Sequence, residues 1–153
     1  MNKESYSFAT LENDSCVYAF ESIGKQGAIR KMVYFQEFSP RIYNLALGDY
    51  TGNHDNPLDD MKVSDNGDMP KVLATVAKII AWFLDKNPDA SIFIEGNTPT
   101  KKVLYHRIIA NNIQDLAPFF VILGVDEGGN VSRFDTNIPH QAIVIKLQKQ
   151  IDI

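Results

Sequence analysis

The chain has 153 residues, 44% apolar and 22% charged, a length and balance suited to one globular domain spanning 1–153 and unlike a disordered polymer. A net charge of −4 argues against general nucleic-acid binding, and the single cysteine, Cys16, excludes an internal disulfide or a cysteine-based zinc site. No apolar run approaches the ~18 residues of a membrane span, and MNKESYSFATLENDS lacks a signal-like core. The expectation is a cytoplasmic protein with no membrane partner and a loosely ordered N-terminus over 1–14.

VYAFES (17–22) and IRKMVYFQEF (29–38) are rich in β-branched and aromatic residues. Gly24 and Gly27, in the intervening IGKQGA, are expected to supply positive φ for a hairpin. IYNLALGDY (42–50), entered through Ser39-Pro40, completes an antiparallel meander. Residues 49–68 then hold Asp49, Asp55, Asp59, Asp60, Asp65 and Asp68 against Lys62 alone, so this stretch carries −5 and the rest of the chain +1.

Asp68 is the expected N-cap of the next helix, with Pro70 in its first turn. Val72, Val76, Ile79, Ile80 and Phe83 recur at helical spacing, Leu73, Ala77 and Leu84 widen the stripe, and the helix ends near Lys86. SIFIE (91–95), bounded by Pro88 and Gly96, reads as a buried strand. GNT is a turn, Thr98 a cap and Pro99 the first position of a helix running to about Ile113. PFFVILGVDE (118–127) and AIVIKL (142–147) are the fifth and sixth strands, separated by a GGN turn.

The order β-β-β-α-β-α-β-β defines an α+β (mixed α/β) domain: an antiparallel meander plus two crossover helices on one mixed sheet. Right-handed crossovers make strands three, four and five parallel, with their carboxyl ends on one edge. Ligands of such sheets gather there. Asp49, Glu95, Asp126 and Glu127 stand at those strand ends, and both helices begin there.

Two candidate sites follow, each with a plainer alternative. In EGNTPTKK, the helix start presents free N–H groups beside Asn97, Thr98, Thr100, Lys101 and Lys102, a chemistry suited to an anion such as phosphate; the alternative is a capped helix start. In the acidic stretch, Asp49, Asp59 and Asp60, with Glu95 across the edge, form a carboxylate set that suits hard cations, Mg²⁺ or Mn²⁺. The alternative there is a solvated loop, and an EF-hand register fails: Gly67 at the sixth position puts Lys62 first and Leu73 twelfth. No cofactor is otherwise implied. Cys16 and Trp82 read as packing groups and His106 as a surface residue. His54 is the one histidine placed to act as a ligand. No GxGxxG, Walker A, HExxH or GxSxG pattern is present.

NLALGD (44–49), DD (59–60), NGDMPKVLATVAKII (66–80) and GNTPTKKVLY (96–105) resemble the DUF6934 family of small uncharacterised bacterial proteins, found mainly in Bacteroidetes, from about Tyr6 to the last strand. That family has basic residues ahead of its Leu-Tyr pair. Lys101 keeps one such charge, while Val103 and His106 replace others. The resemblance implies no established activity, substrate or catalytic residue. The element order is also similar to that of ribonuclease-H-like nucleases, where carboxylates hold two divalent metals; Glu21 and Glu95 match two of the three places, and the helix over 70–86 offers no interior acid for the third. Three functions compete: a non-catalytic binding protein with an anion or phosphate ligand at the strand ends, a metal-dependent phosphoryl-transfer enzyme or toxin-like nuclease, and a homo-oligomeric or partner subunit. The partner under the first is a phosphate-bearing small molecule or another protein.

Overall fold

A computed structural model describes residues 4–11, 16–50, 58–59 and 66–148. Its elements are β1 (Ala9–Thr10), β2 (Val17–Gly24), β3 (Gly27–Ser39), β4 (Ile42–Tyr50), β5 (Leu58–Asp59), α1 (Met69–Lys86), β6 (Ser91–Glu95), α2 (Pro99–Ala110), α3 (Ile113–Leu116), β7 (Phe120–Val125), β8 (Val131–Arg133) and β9 (Ala142–Leu147). The strands form one mixed sheet in the order β1-β2-β3-β4-β6-β9-β7-β8, with β5 paired to the end of β4. The fold class is α+β, as the element order implied.

The expected meander is β2-β3-β4, antiparallel throughout. Its first turn differs from expectation in one respect. Gly27 has φ of +87°, but Gly24 serves a close approach instead: a Cβ there would lie 1.8 Å from the Asn66 carbonyl oxygen. The second turn places Arg41 at φ of 63°, and its carbonyl accepts the Ser91 N–H, tying the meander to β6.

α1 crosses from β4 to its parallel neighbour β6, and β9 is antiparallel to both β6 and β7. Strands β4, β6 and β7 therefore run the same way, as expected, but the last strand inserts between β6 and β7. The reason lies in AIVIKL, which is apolar at successive positions and gains from neighbours on both sides. Further departures are the short β1, β5, β8 and α3, none of which the periodicity revealed. Helix α2 stops at Ala110 and the chain turns through Asn111 and Asn112 into α3.

The helices cover one face. Ten residues of α1 are buried, including every member of the predicted stripe. Phe83 stacks on Phe35 at 4.1 Å between centroids and meets Tyr43 edge-on at 5.0 Å. Around them lie Ile79, Ile80, Ile92, Ile108, Ile109 and Ile145, all at 0% exposure. Each such side chain contributes about 1.5–3 kcal/mol by leaving water, so this face dominates stability. The opposite face carries Phe93, Val144 and Leu123, only half-buried, and the more exposed Phe38 and Ile42.

Residues 4–11, the described part of the segment 1–14, make specific contacts with the rest of the domain. Tyr6 N–H donates to Thr75 Oγ1 at 2.8 Å, the Tyr6 ring stacks on Phe20, and Phe8 packs edge-on against Tyr18 and Trp82. Trp82 is accordingly a packing residue, though it stays 48% exposed. Cys16 packs against the core at its margin.

Candidate functional site at the carboxyl edge of the sheet

β6 ends at Glu95 and must turn at once into α2. Gly96 permits this, since a Cβ there would fall 2.4 Å from the backbone nitrogen of Lys102. Thr98 is extended and its Oγ1 accepts the Lys101 N–H at 3.1 Å, the cap expected from the sequence. Lys102 N–H already binds the Thr98 carbonyl at 3.0 Å, and Pro99 has no N–H. Among the described residues this leaves the Thr100 N–H as the first-turn donor to offer an anion, fewer than a bare helix start would present.

Side chains therefore decide what this edge can bind, and they diverge. Pairing between β4 and β6 stops at Asn44–Phe93, so the strands part beyond it and leave a notch of about 320 Å³. Asn44, Ala46, Glu95, Asn97, Lys101 and Tyr105 line it. Lys101 is 6% exposed and Tyr105 4%, both on the inner face of α2 one turn apart. Lys102 points away: its Nζ donates to Gln141 Oε1 at 3.0 Å and lines a second cavity of about 700 Å³ beside β7 and β9. The five expected anion-site residues thus split. Asn97 and Lys101 reach the notch, Thr98 is spent as a cap, Thr100 is exposed, and Lys102 serves the other cavity.

Of the expected carboxylate set, the two members whose side chains are described, Asp49 and Glu95, lie apart. Asp49 lies on the helix-covered face, only 8% exposed, in a direct ion pair with the equally buried Lys31 of β3. The register places Asp59 opposite Asp49 along the backbone, while the Asp59 side chain, Asp60 and His54 lie outside the described residues. Glu95 lies level with Ala46, three residues and roughly 10 Å short of Asp49 along the strand, and on the other face. Glu21 is farther still: three strands away at roughly 4.8 Å each, and on the level of Tyr50. Among the described residues no group of three His, Cys, Asp or Glu could hold a metal ion. Lys31 could not be foreseen as the partner of Asp49 without the β3–β4 register.

Asp68 occupies the N-cap position but does not cap with its side chain. Its Oδ2 accepts the Tyr6 hydroxyl at 2.5 Å and the Ser22 hydroxyl at 2.6 Å. Asn66 completes the hub, donating to the Ser22 and Gly27 carbonyls and accepting the Gln26 N–H. Burial, then the Asp68 carboxylate, pushes the Tyr6 hydroxyl above its ordinary pKa. The described end of the acidic stretch is therefore a structural junction of the N-terminal segment, the hairpin and α1.

Asp126 is likewise committed. Its carboxylate accepts the Asn130 N–H at 2.8 Å and the Asn130 side-chain amide at 3.2 Å, which hold it below the ordinary carboxylate range. Glu127, beside it, is exposed. His106 is half-buried rather than a surface residue: its Nε2 meets the Thr136 carbonyl at 2.9 Å and its ring lies against Phe134. His140 Nε2 accepts the Asp135 N–H at 3.0 Å, and its ring rests on Gly124 and against Phe134. No sequence signal marked these contacts, since 134–141 has neither period nor motif.

The fold and edge define a mixed-sheet α+β protein with a polar notch beneath the first turns of α2. A family model described as "Family of unknown function (DUF6934)" matches residues 2–148, and the chain belongs to that family. No curated protein and no solved structure matches the chain. No helix among the described residues is long and apolar enough to cross a membrane.

Proposed function

We propose that this protein is a non-catalytic binding protein whose notch between β4 and β6 takes a small anionic ligand, such as a phosphate-bearing molecule. One observation carries the reading: Asn44, Asn97, Lys101 and Tyr105, from three separate elements, converge with Glu95 on a single small cavity at the strand carboxyl ends. Lys101 on the cavity wall supplies a positive charge toward which an anion would be drawn. Glu95 opposes an anion and keeps the affinity low, in the millimolar to high micromolar range, about −4 to −6 kcal/mol. Thermal denaturation in phosphate, against chloride of equal ionic strength, tests it. Near 100 times the dissociation constant, phosphate should stabilise wild type by about 2.7 kcal/mol and stabilise Lys101→Met distinctly less. Equal stabilisation of both would overturn the reading.

A homo-oligomeric role is a second reading, supported by the helix-free face, where Phe38 is 59% and Ile42 36% exposed beside Phe93. Sedimentation equilibrium tests it. A monomer at high micromolar concentration, unchanged by Phe38→Ser, would remove this alternative.

A further inference from the structure

On its outer side α2 presents Lys102, Val103 and His106 to the segment 136–141, and the space between them is the larger cavity, about 700 Å³. Its walls are held in place. His106 is bonded to the Thr136 carbonyl, His140 to the Asp135 N–H, and the Phe134 ring lies 5.2 and 5.1 Å from the two imidazoles. The volume is that of a small-molecule site, which is characteristically apolar with a few placed polar groups.

Its chemistry is two-sided. Lys102 is a half-buried cation whose described partner is the neutral amide of Gln141; no described carboxylate pairs with it. Asp126 and Glu127 also line the cavity: the Asp126 oxygens serve Asn130, and Glu127 is exposed to solvent, which screens its charge. Its lining also includes two apolar side chains left to solvent, Val103 at 61% and Ile138 at 50% exposure, with Pro139 next to the latter in the chain. A free inorganic anion would use the lysine and leave both uncovered. A purely apolar ligand would bury the lysine without a counter-ion.

We propose that this cavity is a second binding site, distinct from the notch, for an amphipathic organic anion. A phosphate or carboxylate head pairs with Lys102, and an apolar aryl or alkyl body lies against Val103 and Ile138. The site depends on Lys102, the notch on Lys101, so the two stand or fall separately.

Titrations of the full chain with inorganic phosphate, phenyl phosphate, hexanoate and benzyl alcohol, followed by amide NMR shifts, test it. Phenyl phosphate or hexanoate should move Val103, His106 and 136–141 and bind at least about tenfold tighter there than inorganic phosphate, about 1.4 kcal/mol. Tighter binding by either supports the site. Lys102→Met should reduce binding to the level of benzyl alcohol. Val103→Asp, an exposed substitution, should weaken it about tenfold without altering phosphate-induced shifts at Asn97 and Lys101. The proposal is overturned if the organic anions bind no tighter than phosphate, if they shift only the notch, or if binding survives Lys102→Met. Amide spectra unchanged away from the cavity serve as the folding control for both variants.

Discussion

Asp68 shows how a residue can hold its expected position while using different chemistry. Its main chain starts α1, yet its carboxylate binds the hydroxyls of Tyr6 and Ser22 from two other segments. Asp68→Ala should therefore cost about 1–3 kcal/mol, the scale for orphaned polar groups, rather than a cap alone. Equilibrium denaturation of the double variant separates the two: Tyr6→Phe should add little once Asp68 is gone, whereas additive costs would exclude the coupling. The raised pKa of Tyr6 gives the junction a pH dependence. The neutral hydroxyl is the form the fold favours, so its contribution is complete below the ordinary tyrosine value of 10.0 and is lost as pH climbs through the higher native value. Wild type and Tyr6→Phe should converge in stability only in that alkaline range. The Lys31–Asp49 pair makes a sharper case. Asp49→Ala removes the carboxylate that Lys31 pairs with and should cost up to about 3–5 kcal/mol, part of which Lys31→Met restores in the same chain.

At the scale of elements, what the sequence could show was set by local patterns. Alternation in 17–50, the stripe from Val72 to Leu84, and the Thr98-Pro99 start were legible because each is written within a few residues. The insertion of β9 between β6 and β7 was not, because periodicity carries no lateral order. The hairpin partner β8 is three exposed residues and left no apolar signature. Of the notch residues, Asn97 and Lys101 were readable from the turn, and Tyr105 could have been added from its one-turn spacing with Lys101. Asn44 could not, since only the β4–β6 register brings it there. Gly96 links element to site. Gly96→Ala should force α2 away from β6, destabilising the fold by more than the ~1 kcal/mol of an ordinary exposed change, and hydrogen exchange at Lys101 and Lys102 should quicken. Protection equal to wild type would show that the close approach is not required.

Across the whole molecule, one helix-covered face supplies the stability, and the proposed binding chemistry lies at the carboxyl edge. The buried Lys31–Asp49 pair engages one of the carboxylates expected for a divalent-metal site. Millimolar Mg²⁺ or Mn²⁺ should accordingly leave the melting temperature within about a degree, where a saturated site would raise it by several. The central claim is that the parting of β4 and β6 creates an anion site around Lys101. Amide shifts during a titration with inorganic phosphate test it most directly. Asn44, Asn97, Lys101 and Tyr105 should move together along one saturating curve, with a dissociation constant in the millimolar to high micromolar range, and should stay still in Lys101→Met. If those four remain unmoved in wild type while another segment responds, the notch is not the site.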